Sequence, residues 1–286
     1  MRLLSPAKIN LFLNVLFKRK DGYHEIATLF ERIRLSDRIN LTRVPSGIKI
    51  KSASRKIPRG PKNLAYQAAK LLKDRFSVKQ GVVIDIQKNI PVSAGLGGGS
   101  SNAATVLLGL NELWGLGLSK KQLLELAGVL GSDVPFFVLE TPFALGRGRG
   151  EILKKINPPA GLKLWHCLVK PPFGISTKEA YQSLKLSSLT PKKTDAKILL
   201  HSVFRGDSKR LRKLLTNSLE QSLNKRVVKI FEIKAALDKQ GALASLMSGS
   251  GPSVFGIYRS KKKAAQAARY LRSLRRDWQI FVTSTF

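Results

Sequence analysis

A glycine-rich segment in the first half of the chain has the residue types and spacing that bind phosphate. It runs from Pro91 to Thr105 as PVSAGLGGGSSNAAT, and its four glycines and two adjacent serines lead into an apolar, helix-like pattern. Glycine lets the backbone approach a ligand, and a helix start offers N–H donors at the positive end of the helix dipole. The segment therefore predicts a phosphate-binding loop. A glycine loop that only caps a helix is the alternative.

This loop differs from the common nucleotide-binding glycine motifs. No Gly-Lys-Ser/Thr follows it, so it is not a Walker A loop. Gly95 and Gly97 could begin a G-x-G-x-x-G motif, but position 100 is Ser. The protein-kinase signatures H-R-D and D-F-G are absent. Residues 89–119 contain no Lys or Arg, so we expect main-chain N–H groups and serine hydroxyls to bind the phosphate.

Two charged residues stand in apolar surroundings, where an unpaired charge is costly. Asp133, in the string GSDVPFF, reads as a base or an orienting group for a substrate hydroxyl, or alternatively as a helix cap. Lys8, in the string SPAKINLF, should seek an anion, either Asp133 or a phosphate. A charge on an edge strand is the alternative for Lys8.

A second small-residue loop, MSGSGPS, runs from Met247 to Ser253 between two strand-like runs. It could approach a ligand or another loop closely. An ordinary hairpin turn explains it equally well when the string is considered alone.

The remaining pattern indicates the elements that position these residues. Strand-like runs cover residues 9–16, 81–86, 244–247, 253–258 and 278–283. Helical patterns cover residues 64–72, 100–113, 178–184, 196–204, 208–223, 228–239 and 261–274. A further helix should start at Ser119, where Gln122 completes a capping box, and end near Gly131. The mixture lacks strict strand–helix alternation, which favours an α+β fold, and the string KKINPPAG near residue 155 is the best domain boundary.

Composition narrows the possible classes of protein. The 286 residues contain no apolar run long enough to span a membrane, and the N-terminal stretch does not read as a signal peptide. The single cysteine, Cys167, excludes an internal disulfide and a cysteine-rich metal site, so we expect a cytoplasmic protein. The net charge of +33 makes nucleic acid a partner to consider. The charge is spread over the chain, which favours a solvated basic surface and makes nucleic-acid binding unlikely as the main function.

Taken in order along the chain, these strings resemble the three motifs of the GHMP kinases, the superfamily of galactokinase, homoserine kinase and mevalonate kinase. The resemblance extends over nearly the whole chain. It implies a two-lobed α+β fold with the active site in the cleft between the lobes, residues 1–155 forming the first domain and residues 156–286 the second. It also implies a small-molecule kinase that uses ATP and Mg²⁺.

The string DGYHE, from Asp21 to Glu25, makes the resemblance closer to those GHMP kinases that phosphorylate the 2-hydroxyl of a cytidine diphosphate substrate in the non-mevalonate route to isoprenoid precursors. By that resemblance Asp133 is the catalytic base and Lys8 stabilises both this carboxylate and the transferred phosphoryl group. The residues implied to bind the substrate are Asn10, Tyr23, His24 and Tyr181, with cytosine stacked between the two tyrosines and His24 on its edge.

The resemblance implies an ATP site made mainly of the glycine-rich loop. Its residues are Pro91, Val92, Ser93, Ala94, Gly95, Leu96, Gly97, Gly98, Gly99, Ser100 and Ser101, with Asn63 and Lys88 lining the adenosine pocket. No protein ligand for Mg²⁺ stands out, and Ser101 is the one candidate. A monomer or a homodimer fits the sequence equally well. Two departures from the family are the segment from Val138 to Phe143 and the string NSLE, from Asn217 to Glu220, where the family usually has an additional acidic residue.

Two other functions remain open at this stage. Another GHMP kinase, such as a homoserine or mevalonate-type kinase, would leave Tyr23, His24 and Tyr181 without a nucleobase to bind. An RNA-binding protein on the same fold would explain the charge, but it would have no use for a Lys8–Asp133 pair.

Overall fold

The structure is a computed structural model, and it describes residues 1–184, 194–222 and 226–286. Its strands are β1 (Arg2–Lys18), β2 (His24–Val44), β3 (Ile48–Lys51), β4 (Gly81–Gln87), β5 (Phe143–Arg147), β6 (Ile152–Lys155), β7 (Trp165–Lys170), β8 (Ala244–Met247), β9 (Val254–Tyr258) and β10 (Gln279–Ser284). Its helices are α1 (Leu64–Arg75), α2 (Gly98–Leu113), α3 (Lys120–Leu130), α4 (Val134–Leu139), α5 (Thr177–Gln182), α6 (Ala196–Arg205), α7 (Ser208–Leu214), α8 (Arg226–Lys239) and α9 (Lys261–Leu274), and residues Ser218–Ser222 form a short 3₁₀ helix.

The chain forms two compact units that alternate along the sequence. Unit 1 consists of Met1–Ala7, Leu35–Val92 and Gly97–Thr141. Unit 2 consists of Lys8–Arg34, Ser93–Leu96 and Pro142–Phe286. The long strands β1 and β2 pair with each other and contribute residues to both units. The predicted division at residue 155 stays a prediction.

Unit 1 is built on strand β4. Residues 38–44 of β2 pair with it in antiparallel register, and β3 pairs with it in parallel register. The alternation in β4 explains its orientation, because Val82, Ile84 and Ile86 are buried while Asp85 between them is partly exposed. Helices α1, α3 and α4 all pack against α2, whose many small residues are buried on most of its faces.

Unit 2 contains an antiparallel sheet with the strand order β10-β7-β9-β8. Helix α8 packs on β8 and β9, and α9 packs on β7, β9 and β10. Strand β5 pairs with residues 28–31 of β2 and with β6. The apolar face of α9, formed by Ala264, Ala267, Ala268 and Leu271, is fully buried, while its remaining face carries most of its basic residues.

The α+β character predicted from the sequence is confirmed, and so is the start of α3. Ser119 and Gln122 form the reciprocal capping box, and Gly131 ends the helix. The continuous helix predicted over residues 208–223 is wrong in the described part of that range, because α7 ends at Leu214 and the 3₁₀ helix begins at Ser218. The last predicted residue of that helix, Leu223, lies outside the described residues. Strands β2, β3, β5, β6 and β7 and helix α4 were not predicted.

In the described part of the chain, no helix is both long enough and apolar enough to cross a membrane.

A buried polar cluster joins β2 to the C-terminal residues of unit 2. Glu31 Oε1 accepts a hydrogen bond from Thr285 Oγ1 at 2.8 Å and lies 2.9 Å from His166 Nε2. Thr285 Oγ1 also accepts from the main-chain N–H of Leu164 at 2.9 Å. Glu31 and His166 are both fully buried. Because each partner would lose the hydrogen bond that it makes with Glu31 in an apolar interior, Glu31 should contribute strongly to stability.

We expect Glu31→Ala to lower the free energy of unfolding by about 2–4 kcal/mol, since it leaves His166 Nε2 and the hydroxyl proton of Thr285 without a hydrogen-bond partner in the interior. Urea denaturation would measure the change. The matched control is Glu232→Ala, which removes an exposed partner of Lys229 in the same unit and should cost under about 1 kcal/mol. Equal losses for the two variants would contradict the role given to Glu31.

Candidate active site

Strand β1 places Lys8 and Asn10 on the same face of unit 2, because side chains two residues apart share a face of a strand. Lys8 is only 4% exposed, and its Nζ donates to Asn10 Oδ1 at 2.7 Å. Asn10 Nδ2 in turn donates to Thr28 Oγ1 at 2.7 Å, and this hydroxyl donates to the carbonyl of Phe12. The chain of hydrogen bonds fixes the amide so that its oxygen faces the ammonium group.

The tip of the glycine-rich loop also contacts β1 and the second small-residue loop within unit 2. The main-chain N–H of Lys8 donates to the carbonyl of Leu96 at 3.0 Å. Ser248 Oγ donates to the carbonyl of Gly95 at 3.0 Å, and the N–H of Ser253 donates to the carbonyl of Ala94 at 3.3 Å. The structure therefore brings parts of all three predicted motifs together.

Two glycines make this close approach possible. Gly95 has a φ of +74°, and a Cβ there would overlap the carbonyl oxygen of Ser248. Gly249 has a φ of +56°, and a Cβ there would stand 3.3 Å from Lys8 Nζ and 3.2 Å from Asn10 Oδ1. Both positions combine a left-handed backbone with too little space for a side chain. The loop from Met247 to Ser253 is thus more than a hairpin turn, because its backbone lies directly against the Lys8 ammonium group.

Two buried polar residues hold that loop in place. Asn217 Nδ2 donates to the carbonyls of Met247 at 2.9 Å and Gly249 at 2.8 Å. Glu220 Oε1 accepts from the N–H of Met247 at 2.8 Å, and Lys234 pairs with the other oxygen of Glu220 at 2.7 Å. The sequence analysis noted the NSLE string only as a departure from a family pattern and missed this role.

The part of the glycine-rich loop in unit 1 forms the start of α2. Gly98, Gly99 and Ser100 occupy the first turn, where main-chain N–H groups have no acceptor within the helix. The first turn contains no acidic residue, so nothing there opposes an anion at the positive end of the helix dipole. Ser101 is fully buried, and its Oγ lies 2.8 Å from Ser5 Oγ.

Asp133 stands at the start of α4 in unit 1 and is partly exposed. Its side chain accepts no capping hydrogen bond from that helix, so the capping alternative is wrong. Asn63 does act as a cap, because its Oδ1 accepts from the N–H of Ala65 at 2.9 Å at the start of α1. Lys88 forms a short ion pair with Asp37, also within unit 1.

The three residues predicted to bind the nucleobase lie in unit 2. The rings of His24 and Tyr181 stack directly on each other, with centroids 5.2 Å apart and an interplanar angle of 29°. Tyr23 is 54% exposed, and the guanidinium carbon of Arg149 lies 4.9 Å from its ring centroid. The structure therefore brings Tyr181 to His24, whereas a sandwich between Tyr23 and Tyr181 stays a prediction.

Burial, and then the positive charge of Lys18, lower the pKa of His24 below its ordinary value. A lower pKa favours the neutral imidazole at pH 7, in which one ring nitrogen donates and the other accepts a hydrogen bond. A neutral ring of this kind suits the edge of a pyrimidine, which also presents donors and acceptors.

The predicted site residues fall into two groups by unit. Lys8, Asn10, Tyr23, His24, Tyr181 and residues 93–96 belong to unit 2. Asp133, Asn63, Lys88 and the remaining loop residues, including Pro91 and Val92, belong to unit 1. Each group can bind an anionic ligand, one with a buried ammonium and the other with a helix start.

Comparison with protein families agrees with this combination of fold and motifs. The model for the GHMP kinases N terminal domain matches residues 63–141, and the model for the GHMP kinases C terminal domain matches residues 199–276. The chain belongs to the GHMP kinases.

Relatives with a known name narrow the comparison. The chain is 46% identical to the 4-diphosphocytidyl-2-C-methyl-D-erythritol kinase of Pelotomaculum thermopropionicum over 99% of this chain and 97% of that protein. It is also 46% identical to the protein of that name from Geobacillus kaustophilus, over 94% of this chain and 91% of the relative. A crystal structure of 4-(cytidine 5'-diphospho)-2C-methyl-D-erythritol kinase matches with a TM-score of 0.85 and 35% identity over the full length of both chains.

We expect Gly95→Ala to lower the free energy of unfolding by about 1–3 kcal/mol more than a matched glycine variant, because the new Cβ must displace the backbone at Ser248. The control is Gly241→Ala in the same unit. Gly241 has a similar φ of +78°, but a Cβ there would have no atom within 4 Å. Thermal or urea unfolding of both variants measures the difference. A loss no larger than that of Gly241→Ala would show that the loops are not in close contact.

Proposed function

We propose that this protein transfers the γ-phosphoryl group of ATP to the 2-hydroxyl of 4-diphosphocytidyl-2-C-methyl-D-erythritol, a step in the non-mevalonate route to isoprenoid precursors. The observation that carries the proposal is that parts of three GHMP motifs meet at Lys8, in a chain whose relatives of that name match almost from end to end. The Asp21–Glu25 string and the stacked pair of His24 and Tyr181 favour a substrate with a nucleobase.

Phosphoryl transfer depends on positioning and on stabilising negative charge, with little covalent chemistry for the protein to perform. The N–H groups at the start of α2 bind the ATP phosphates without any basic side chain in the loop. Lys8 neutralises charge that develops on the transferred group, and its bond to Asn10 keeps the ammonium in one position. These groups are fixed before the substrate arrives, so no reorganisation opposes the reaction.

Asp133 is the proposed base that accepts the proton of the 2-hydroxyl. A carboxylate suffices for this role, because a loose transition state leaves the proton on the hydroxyl until late in the transfer. Its side chain makes no capping hydrogen bond with α4, so helix capping does not explain the carboxylate at this position.

The cytidine group is proposed to bind at Tyr23, His24 and Tyr181. Aromatic stacking on a base contributes about 1–3 kcal/mol by comparison with single-stranded nucleic-acid sites. The neutral ring of His24 reads the edge of the base, and Asn10 helps to position the reacting part of the substrate.

ATP chemistry of this type uses Mg²⁺, which would supply positive charge to neutralise the phosphates. We propose that the metal reaches the site bound to the ATP phosphates and water, since the Ser101 hydroxyl is buried against Ser5. We further propose a cytoplasmic enzyme, where ATP and Mg²⁺ are supplied, that acts as a monomer or a homodimer.

The reaction is tested by measuring ADP release from Mg-ATP with 4-diphosphocytidyl-2-C-methyl-D-erythritol, homoserine or mevalonate. We expect turnover with the first substrate alone. Asp133→Asn should reduce this turnover by about 10²–10⁴-fold while the fold and ATP binding are retained. Asp74→Asn, which removes an exposed partner of Lys70 in the same unit, is the control and should be fully active.

Turnover with homoserine or mevalonate instead would identify a different GHMP kinase. No turnover with any substrate, together with RNA binding that weakens steeply as salt increases, would favour a nucleic-acid-binding protein on the same fold. Full activity of Asp133→Asn would remove this residue as the base.

We expect Tyr181→Ala to raise the KM for the cytidine substrate by roughly 5–100-fold, because a stacking surface is lost, while the KM for ATP stays the same. Tyr181→Phe keeps the ring and serves as the control, with a KM close to that of the unchanged protein. Steady-state kinetics with each substrate varied in turn separates the two effects. A change in both KM values would indicate general disruption of unit 2 instead of loss of a base-binding surface.

A further inference from the structure

Asp37, in strand β2, is a fully buried carboxylate to which the proposed mechanism gives no role. Its Oδ1 accepts hydrogen bonds from the main-chain N–H groups of Asn89 and Ile90, both at 2.8 Å. Its Oδ2 accepts from Asn102 Nδ2 at 2.9 Å and forms the short ion pair with Lys88 Nζ. All of these residues belong to unit 1, so one side chain joins β2, the segment before the glycine-rich loop, and helix α2.

The same cluster continues into the first turns of α2. Asn102 Nδ2 also donates to Ser5 Oγ at 2.8 Å, and Ser5 Oγ lies 2.8 Å from Ser101 Oγ. Ser5, Asn102 and Ser101 are all buried, so the hydrogen bonds are protected from water. This arrangement fixes the rotation and position of the helix end that carries the phosphate-binding N–H groups.

The Lys88 ammonium group lies where a cation is unfavourable unless an anion stands beside it. Its Nζ lies 3.2 Å from where a Cβ of Gly98 would stand, at the first residue of α2. A positive charge at the positive end of a helix dipole is unfavourable, and the Lys88 side chain is only 8% exposed. Asp37 compensates for both costs, and it holds the ammonium beside the first residue of α2.

We propose that Asp37 is a positioning residue for ATP. It holds the Lys88 ammonium group beside Gly98 and, through Asn89 and Ile90, fixes the main chain that enters the glycine-rich loop. Asp37 itself does not touch the nucleotide. The inference rests on the proposed function, because it assigns the phosphate at the start of α2 to ATP.

A purely structural role for this cluster makes a different prediction. A residue that only stabilises the fold changes both KM values or the amount of folded protein, whereas a residue that acts through Lys88 changes the KM for ATP selectively. The two roles are separated by a double-mutant cycle, because residues that act as one unit have non-additive effects.

The test compares Asp37→Asn, Lys88→Met and the double variant with the unchanged protein. Asparagine keeps an oxygen for the N–H groups of Asn89 and Ile90 but removes the charge that holds Lys88. We expect Asp37→Asn to raise the KM for ATP roughly tenfold, which corresponds to the loss of one charge-assisted hydrogen bond. The kcat and the KM for the second substrate should each change by less than about threefold. In the Lys88→Met background the same substitution should change the KM for ATP by less than about twofold.

Asp74→Asn is the matched control, because it also removes the carboxylate of a Lys–Asp pair in unit 1, but an exposed one. If Asp37→Asn alone fails to fold, the double variant removes the buried charge pair as a whole, and a change of more than about twofold in the KM for ATP between it and Lys88→Met would overturn the inference. An equal increase in the KM for ATP in both backgrounds, or in the KM for both substrates, would overturn the inference. If the protein without substitutions is inactive, the proposed function and this inference are overturned together. If it is active and Asp37→Asn does not change the KM for ATP, the inference alone is overturned.

Discussion

The buried ammonium group of Lys8 is the constraint around which unit 2 is arranged. A cation that is 4% exposed costs several kcal/mol unless polar groups surround it. The amide of Asn10 accepts a hydrogen bond from the ammonium and is itself fixed by Thr28, and a Cβ at Gly249 would stand only 3.3 Å from Lys8 Nζ. Because the loop from Met247 to Ser253 must lie this close, it requires glycine at the point of approach and a rigid support in Asn217 and Glu220.

The basic composition of the chain contrasts with the glycine-rich loop. The protein carries a net charge of +33, yet its glycine-rich loop contains no Lys or Arg and offers only main-chain dipoles and serine hydroxyls to a phosphate. Main-chain donors have fixed directions once the helix forms, whereas a flexible lysine must lose side-chain entropy to bind. A loop without basic residues can therefore select a ligand by the geometry of its phosphate, whereas the basic surface attracts anions in general.

The sequence was sufficient to predict the elements whose signal is local. The glycine-rich loop, the capping box at Ser119 and the end of α3 at Gly131 each depend on residues close together in the chain. Strand β2 was missed because charged residues such as Glu31 and Asp37 interrupt its apolar alternation. Both are buried with partners far away in sequence, His166 and Lys88, and no local pattern indicates such pairs. The stacking of His24 on Tyr181 was missed for the same reason.

The two units use the same physical solution for their proposed ligand-binding segments. In unit 2, Glu220 accepts a hydrogen bond from the N–H of Met247, and in unit 1, Asp37 accepts from Asn89 and Ile90. In each case a buried carboxylate binds main-chain N–H groups at the entry to a loop and pairs with one lysine. A loop that is rich in glycine has little stiffness of its own, so its geometry must come from the residues that support it. The geometry of the proposed site therefore depends on these two carboxylates as much as on the residues that are proposed to contact the substrates.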